Sequence, residues 1–223
     1  MPKISMPRKA PSLDMTPMVD LGFILVTFFM LTAKFRAIEP VAIDTPSSNS
    51  QIPLPEKVML ITIDPDGRVF FDLTGKDIRR KMFENMAQRY TEIQPKITEP
   101  VLERFSILGT FGVPIGELPA YVMLDQKERG AVDKTTKGIP VDSLNNQLAD
   151  WIMAGYTSFM EVAHEEGYTD EQLRRENGLR YAIKADGTTH YDKVKRVIDT
   201  FRDKEIYQFN LVTDLEGGEV EPE

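Results

Sequence analysis

The alternation of apolar and polar positions divides the chain into one long apolar block near its start and a series of shorter periodic segments behind it. The block is MTPMVDLGFILVTFFMLTAKF, residues 15–35, and between Met18 and Ala33 only Asp20, Thr27 and Thr32 are neither apolar nor glycine. At ~1.5 Å per residue a helix over this stretch rises about 32 Å, enough to cross a ~30 Å hydrocarbon layer. Thr16, Asp20, Thr27 and Lys34 are separated by 4, 7 and 7 positions, so a 3.6-residue period gathers them on one face. The other faces carry Val19, Phe23, Leu25, Val26, Phe29 and Met30. Pro17 suits the first helical turn, with Thr16 as cap. A polar stripe on a helix in lipid calls for partner helices to cover it.

Behind the block, residues 39–57 hold Pro40, Pro46, Pro53 and Pro55 around a serine-rich centre, the composition of an extended linker. VMLITID at 58–64 and RVFFDL at 68–73, joined through DPDG, predict a β-hairpin. Ile78, Met82, Phe83, Met86 and Tyr90 have helical spacing over 76–89. A helix is expected in TEPVLERFSILGTFG, with Pro100 near its start and Gly109 or Gly112 at its end, and GELPAYVML has the look of a capped start. DQKERGAVDKTTKGIP reads as a charged loop, and residues 141–164 as a helix with Leu144, Leu148, Trp151, Ile152 and Phe159 inward. TDEQLRREN opens on a cap-like Thr169 and stops at Asn177-Gly178. A strand at 179–186, an amphipathic helix at 190–205 with Tyr191, Val194, Val197, Ile198 and Phe201 inward, and a strand at 206–214 make a βαβ unit, whose two strands should be parallel neighbours. No segment repeats.

Charge fixes a direction. Of the total −8, residues 1–36 hold five basic and two acidic groups, a net of +3, which leaves −11 for the rest. The basic, proline-containing tail at 1–14 favours a cytoplasmic N-terminus, and residues 37–223 are placed outside the cytoplasm. The strongly acidic remainder argues against nucleic acid and anionic membrane surfaces as partners. The absence of cysteine fits an oxidising compartment. Three other readings of the apolar block compete: a signal peptide, disfavoured by Asp20 and by the lack of a cleavage site; a simple anchor whose Asp20 snorkels to the headgroups; and a helix buried in a soluble core.

Other chemistry is sparse. His164 and His190 lack metal-ligand spacing, and neither a Ser-His-Asp arrangement nor a glycine-rich phosphate loop is present, so hydrolase and nucleotide chemistry have no support. No enzyme activity, metal or cofactor is expected. An ionised carboxylate within a membrane-spanning helix costs at least ~2.5 kcal/mol, which singles out Asp20 as functional. Thr27 can offer a hydroxyl to protons or water on the same face, or bond back to its own helix; Thr16 sits toward the entrance, and Lys34 snorkels.

TPMVDLGFILVTFFML at 16–31 and IKADGTTHYDKVKRVIDTFRDKEIYQFNLVTD at 183–214 resemble the transmembrane signature and the strand–helix–strand ending of the ExbD/TolR family of biopolymer-transport proteins, and the hairpin at 58–73 fits too. The stretch 91–178 exceeds what a minimal member needs and reads as an insertion like that of Bacteroidetes-type paralogues. The resemblance implies a single N-terminal transmembrane helix at 15–36 and a periplasmic α+β domain at 58–214, a mixed sheet with helices on one face, between a flexible linker at 37–57 and an acidic tail at 215–223. It also implies an inner-membrane motor in which the helix sits inside an ExbB-like pentamer and Asp20, with Thr27, carries protons to energise a TonB-like protein for outer-membrane transport. A homodimer is implied as well. A TolR-type or gliding-type stator is the near alternative, and a membrane-anchored periplasmic binding module without proton chemistry the distant one. Asp186 matches a family aspartate but equally suits a turn or cap.

Overall fold

The computed structural model describes residues 15–32, 47–48, 57–142, 144–175, 178–212 and 214–215. The chain forms two units, Met1–Ala37 and Ile38–Glu223. The expected tail at 1–14, Lys34, most of the linker and the end from 216 lie outside the described residues.

In the first unit one helix, α1, spans Thr16–Thr32. Its 17 residues rise about 25 Å, and none of them is buried. Among the described residues no helix is long and apolar enough to cross a membrane.

The second unit is α+β. Strand β1 (Ser47–Ser48) precedes β2 (Val58–Ile63) and β3 (Val69–Leu73), then helices α2 (Lys76–Arg89), α3 (Glu99–Ser106), α4 (Leu118–Met123) and α5 (Gln126–Thr135). Two short strands, β4 (Val141–Asp142) and β5 (Asn145–Asn146), lead into α6 (Gln147–Glu165) and α7 (Asp170–Arg175). The chain closes with β6 (Arg180–Ala185), α8 (Tyr191–Asp203), β7 (Asn210–Val212) and β8 (Asp214–Leu215). The main sheet has the order β3-β2-β6-β7. Strands β2 and β3 are antiparallel, whereas β2–β6 and β6–β7 are parallel, so hairpin and βαβ unit share one mixed sheet as expected. A separate pair joins β1 to β8 in parallel.

Period-two alternation turns Met59, Ile61, Ile63, Phe71, Leu73 and Ile183 to one face, where they meet Phe83 of α2, Trp151 and Phe159 of α6, and Val197 and Phe201 of α8 in a single apolar cluster. Phe71, Phe105, Phe111 and Trp151 pack ring on ring, with centroids 5.0–6.1 Å apart. Residues 91–178 are therefore not a separate body: α3 and α6 supply the centre of this core. The outer edge of β3 is closed by the same stretch. Phe71 and Phe111 exchange N–H···O bonds of 2.8 and 3.0 Å, and the Ile139 amide donates to the Val69 carbonyl at 2.9 Å. Gly112 and Gly138 permit this approach: a Cβ would stand 2.2 Å from the Phe70 ring at the first and 2.6 Å from the Val69 nitrogen at the second.

Several expectations need correction. The helix expected to end at Gly109 or Gly112 stops at Ser106, because Phe111 is taken up by the edge of β3. The charged loop after residue 124 contains α5, nucleated by a reciprocal capping box in which the Asp125 side chain accepts from the Glu128 amide and Glu128 from that of Asp125. The helix expected from 141 starts at Gln147, where Asn146 caps it by accepting from the Ala149 amide, and Leu144 lies exposed in the preceding turn. Tyr191, expected inward, is exposed in the first turn of α8.

Removing the indole at position 151 tests whether the stretch 91–178 and the sheet share one core. Trp151→Ala is expected to keep a single cooperative urea transition and lower stability by about 3–5 kcal/mol, read by far-ultraviolet circular dichroism.

Candidate functional site

The site that the sequence singles out lies on α1, which is continuous from Thr16 to Thr32. With 100° per residue, Thr16, Asp20 and Thr27 fall within about 40° of arc. Asp20 is exposed like every other side chain of the helix, and among the described residues no group bonds to its carboxylate. The Thr27 hydroxyl donates back to the carbonyls of Phe23 (2.6 Å) and Ile24 (3.0 Å), and Thr32 to that of Phe28 (2.7 Å). A hydroxyl bonded this way satisfies its proton locally and keeps lone pairs for an outside donor. One face of α1 thus presents a carboxylate flanked by two threonines, among bare apolar side chains such as Phe23, Met30 and Leu31. Lys34, the fourth expected member of this face, lies outside the described residues.

The lesser candidates take structural places. The His164 ring lies 2.8 Å from the Asp170 carboxylate on the surface, and His190 precedes α8 without a side-chain cap. Among the described residues no group of histidine and acidic side chains could hold a metal. Asp186 forms a turn, accepting from the Thr188 amide at 2.8 Å and its hydroxyl at 2.6 Å.

Two features of the second unit escape the sequence because they join distant segments. The first is a polar knot under the hairpin turn. Arg68 pairs with the fully buried Asp64 at 2.6 Å and donates to the carbonyls of Asp133 and Lys134 at the end of α5. Asp133, 4% exposed, accepts from the Tyr121 hydroxyl at 2.8 Å. Burial pushes the Asp133 carboxyl above its ordinary range, and the Tyr121 bond and the guanidinium groups of Arg129 and Arg68 offset this only in part. The second is a groove of about 640 Å³ lined by Met153 and Tyr156 of α6, Tyr181 of β6, and the Ile206–Tyr207 stretch that leads to β7. Burial, with Tyr156 adding to it, pushes the Tyr181 phenol up to about 12. Among the described residues β7 pairs only with β6.

The raised carboxyl of Asp133 sets a pH dependence. The folded state holds this proton more tightly than the unfolded chain, whose carboxyl titrates near ~3.9, so stability falls as pH rises from that value through the folded-state pKa. Asp133→Asn keeps an acceptor for Tyr121 and is expected to flatten that part of the profile and to match or exceed the wild-type urea midpoint at pH 7; midpoints from pH 4 to 8 check it.

The family described as biopolymer transport protein ExbD/TolR matches the chain over residues 6–216. No curated protein and no solved structure matches it significantly.

Proposed function

The chain belongs to the biopolymer transport protein ExbD/TolR family, and from that premise we propose that it is the proton-carrying subunit of an ExbB–ExbD-type inner-membrane motor. Membership makes it a biopolymer-transport component; the motor role rests on Asp20. An ionisable group on a helix otherwise clad in exposed phenylalanine, leucine and methionine is stable in lipid only where neighbouring helices or water cover it. A ring of ExbB-like helices supplies that cover. The membrane span is proposed as residues 15–36, α1 continued by the sequence after Thr32, with the N-terminus in the cytoplasm and the second unit in the periplasm.

Asp20 takes up a proton from one side and gives it up to the other. Thr27, about 20° away on the same face, can accept a hydrogen bond from water or from the protonated acid while its own proton stays on the helix. Thr16 lies one turn toward the N-terminus. One charge crossing 100 mV is worth ~2.3 kcal/mol, so a few protons suffice for a mechanical step. The output is passed through the linker and the second unit to a TonB-like protein that opens outer-membrane transport. A homodimer brings two such helices into one pentamer. The same chemistry would serve a TolR-type or gliding-type stator, and the family description names ExbD and TolR together.

Asp20→Asn preserves shape and removes the titrating proton. Proton-driven uptake is expected to fall to background while membrane abundance and co-purification with the ExbB-like subunit stay at wild-type levels. Uptake above half of wild type would leave a tethered periplasmic module without proton chemistry.

A further inference from the structure

Helix α5 is held to the rest of the second unit by polar contacts. The one side chain that it buries is a carboxyl, that of Asp133. A docked surface helix normally buries an apolar stripe; of α5 only Val132 packs, partly buried, against the core. The attachment runs instead through Arg68, which is fastened to the fully buried Asp64 by its guanidinium at 2.6 Å and its amide at 2.7 Å. From there Arg68 donates to the carbonyls of Asp133 (2.9 Å), Lys134 (3.1 Å) and Thr136 (3.4 Å) at the end of the helix. The Thr136 hydroxyl donates to the Gly112 carbonyl at 3.0 Å.

That attachment depends on the charge of one group. Asp133 lies in the last turn of α5, where the helix carbonyls already carry partial negative charge. Its carboxyl is buried, and the group that donates to it is neutral, the Tyr121 hydroxyl of α4. Arg129 of α5 and Arg68 of the hairpin act on it from farther away, and Arg68 is shared with Asp64 and with Asp66, 3.8 Å off. A buried carboxylate served by one hydroxyl is costly, whereas a neutral carboxyl in the same place is not. On either side of α5 the chain is anchored by apolar burial: Leu118, Tyr121 and Val122 before it, Ile139 after it. Between these anchors the docking of α5 rests on the knot.

We propose that α5 is a pH-released flap, docked on the hairpin turn while the Asp133 carboxyl is neutral and freed when it ionises, which uncovers the Arg68 guanidinium. The flap needs neither partner nor proton motor, and it concerns one helix rather than the folding of the whole unit. A helix of 10 residues is marginal alone, so release melts it and opens its amides to exchange.

Hydrogen exchange of the full chain in detergent micelles, followed from pH 4 to 8 with intrinsic rates divided out, tests this. The amides of residues 130–136 are expected to open locally and without dependence on low urea, whereas those of Phe71 and Ile139 open only with global unfolding. The local opening equilibrium should rise by up to about tenfold per pH unit from about pH 4, the linkage of one proton, and level off once the docked carboxyl is ionised as well. Asp133→Asn is expected to abolish the rise. Tyr121→Phe removes the hydroxyl that favours the ionised carboxyl, and is expected to move the levelling-off to higher pH. Exchange of 130–136 only together with Phe71 and Ile139, a rise that persists in Asp133→Asn, or a levelling-off unmoved by Tyr121→Phe would each overturn the flap and leave Asp133 an acid that acts on global stability alone.

Discussion

The structure is governed by one incompatibility: a carboxylate on the side of an apolar helix. Water satisfies Asp20 but not Phe23, Phe29 or Leu31; lipid satisfies those but not Asp20. Neither medium suits α1 alone, and the chain provides no group among its described residues that bonds to the acid. In the proposed motor other helices complete this face, and an acid held in such a sheath is charged or neutral according to which side it faces. Thr27, on the same face, bonds to its own backbone, which keeps the face polar without adding a second charge.

In the proposed motor the second unit meets a different demand, that of remaining folded while attached to a moving helix. Its sheet places the first strand after the linker at the centre, with β3 and β6 on either side. The stretch 91–178 reinforces that arrangement by supplying Phe105, Phe111 and Trp151 to the core, closing the edge of β3 through Phe111 and Ile139, and tying α5 to the hairpin turn through Arg68. In the main sheet β7 pairs only with β6 among the described residues, and Tyr156, Tyr181 and Tyr207 line a groove with the stretch that leads to β7.

Local periodicity made much of this legible. The hairpin, α2, β6 and α8 follow directly from alternation and from helical spacing, and the polar stripe on α1 from the positions of Thr16, Asp20 and Thr27. The errors fall where a tertiary partner overrides a local preference. Phe111 leaves a helical pattern because the edge of β3 takes its backbone groups, and Leu144 is exposed because Asn146 caps α6 two residues later. The helix α5 was hidden by its charge, since a helix with few apolar positions shows little period and only the Asp125–Glu128 box marks its start. The knot of Asp64, Arg68, Tyr121 and Asp133 spans too much sequence for spacing to reveal.

The central claim is that the carboxyl group of residue 20 changes protonation inside the assembled complex. Difference infrared spectroscopy with ¹³C-labelled aspartate, on the complex with an ExbB-like partner in membranes, observes this directly. If Asp20 is the carrier, a pH step across the membrane interconverts a protonated C=O band and carboxylate bands, all isotope-shifted and all absent from Asp20→Asn. A spectrum identical in wild type and Asp20→Asn, with residue 20 in one protonation state throughout, would contradict it.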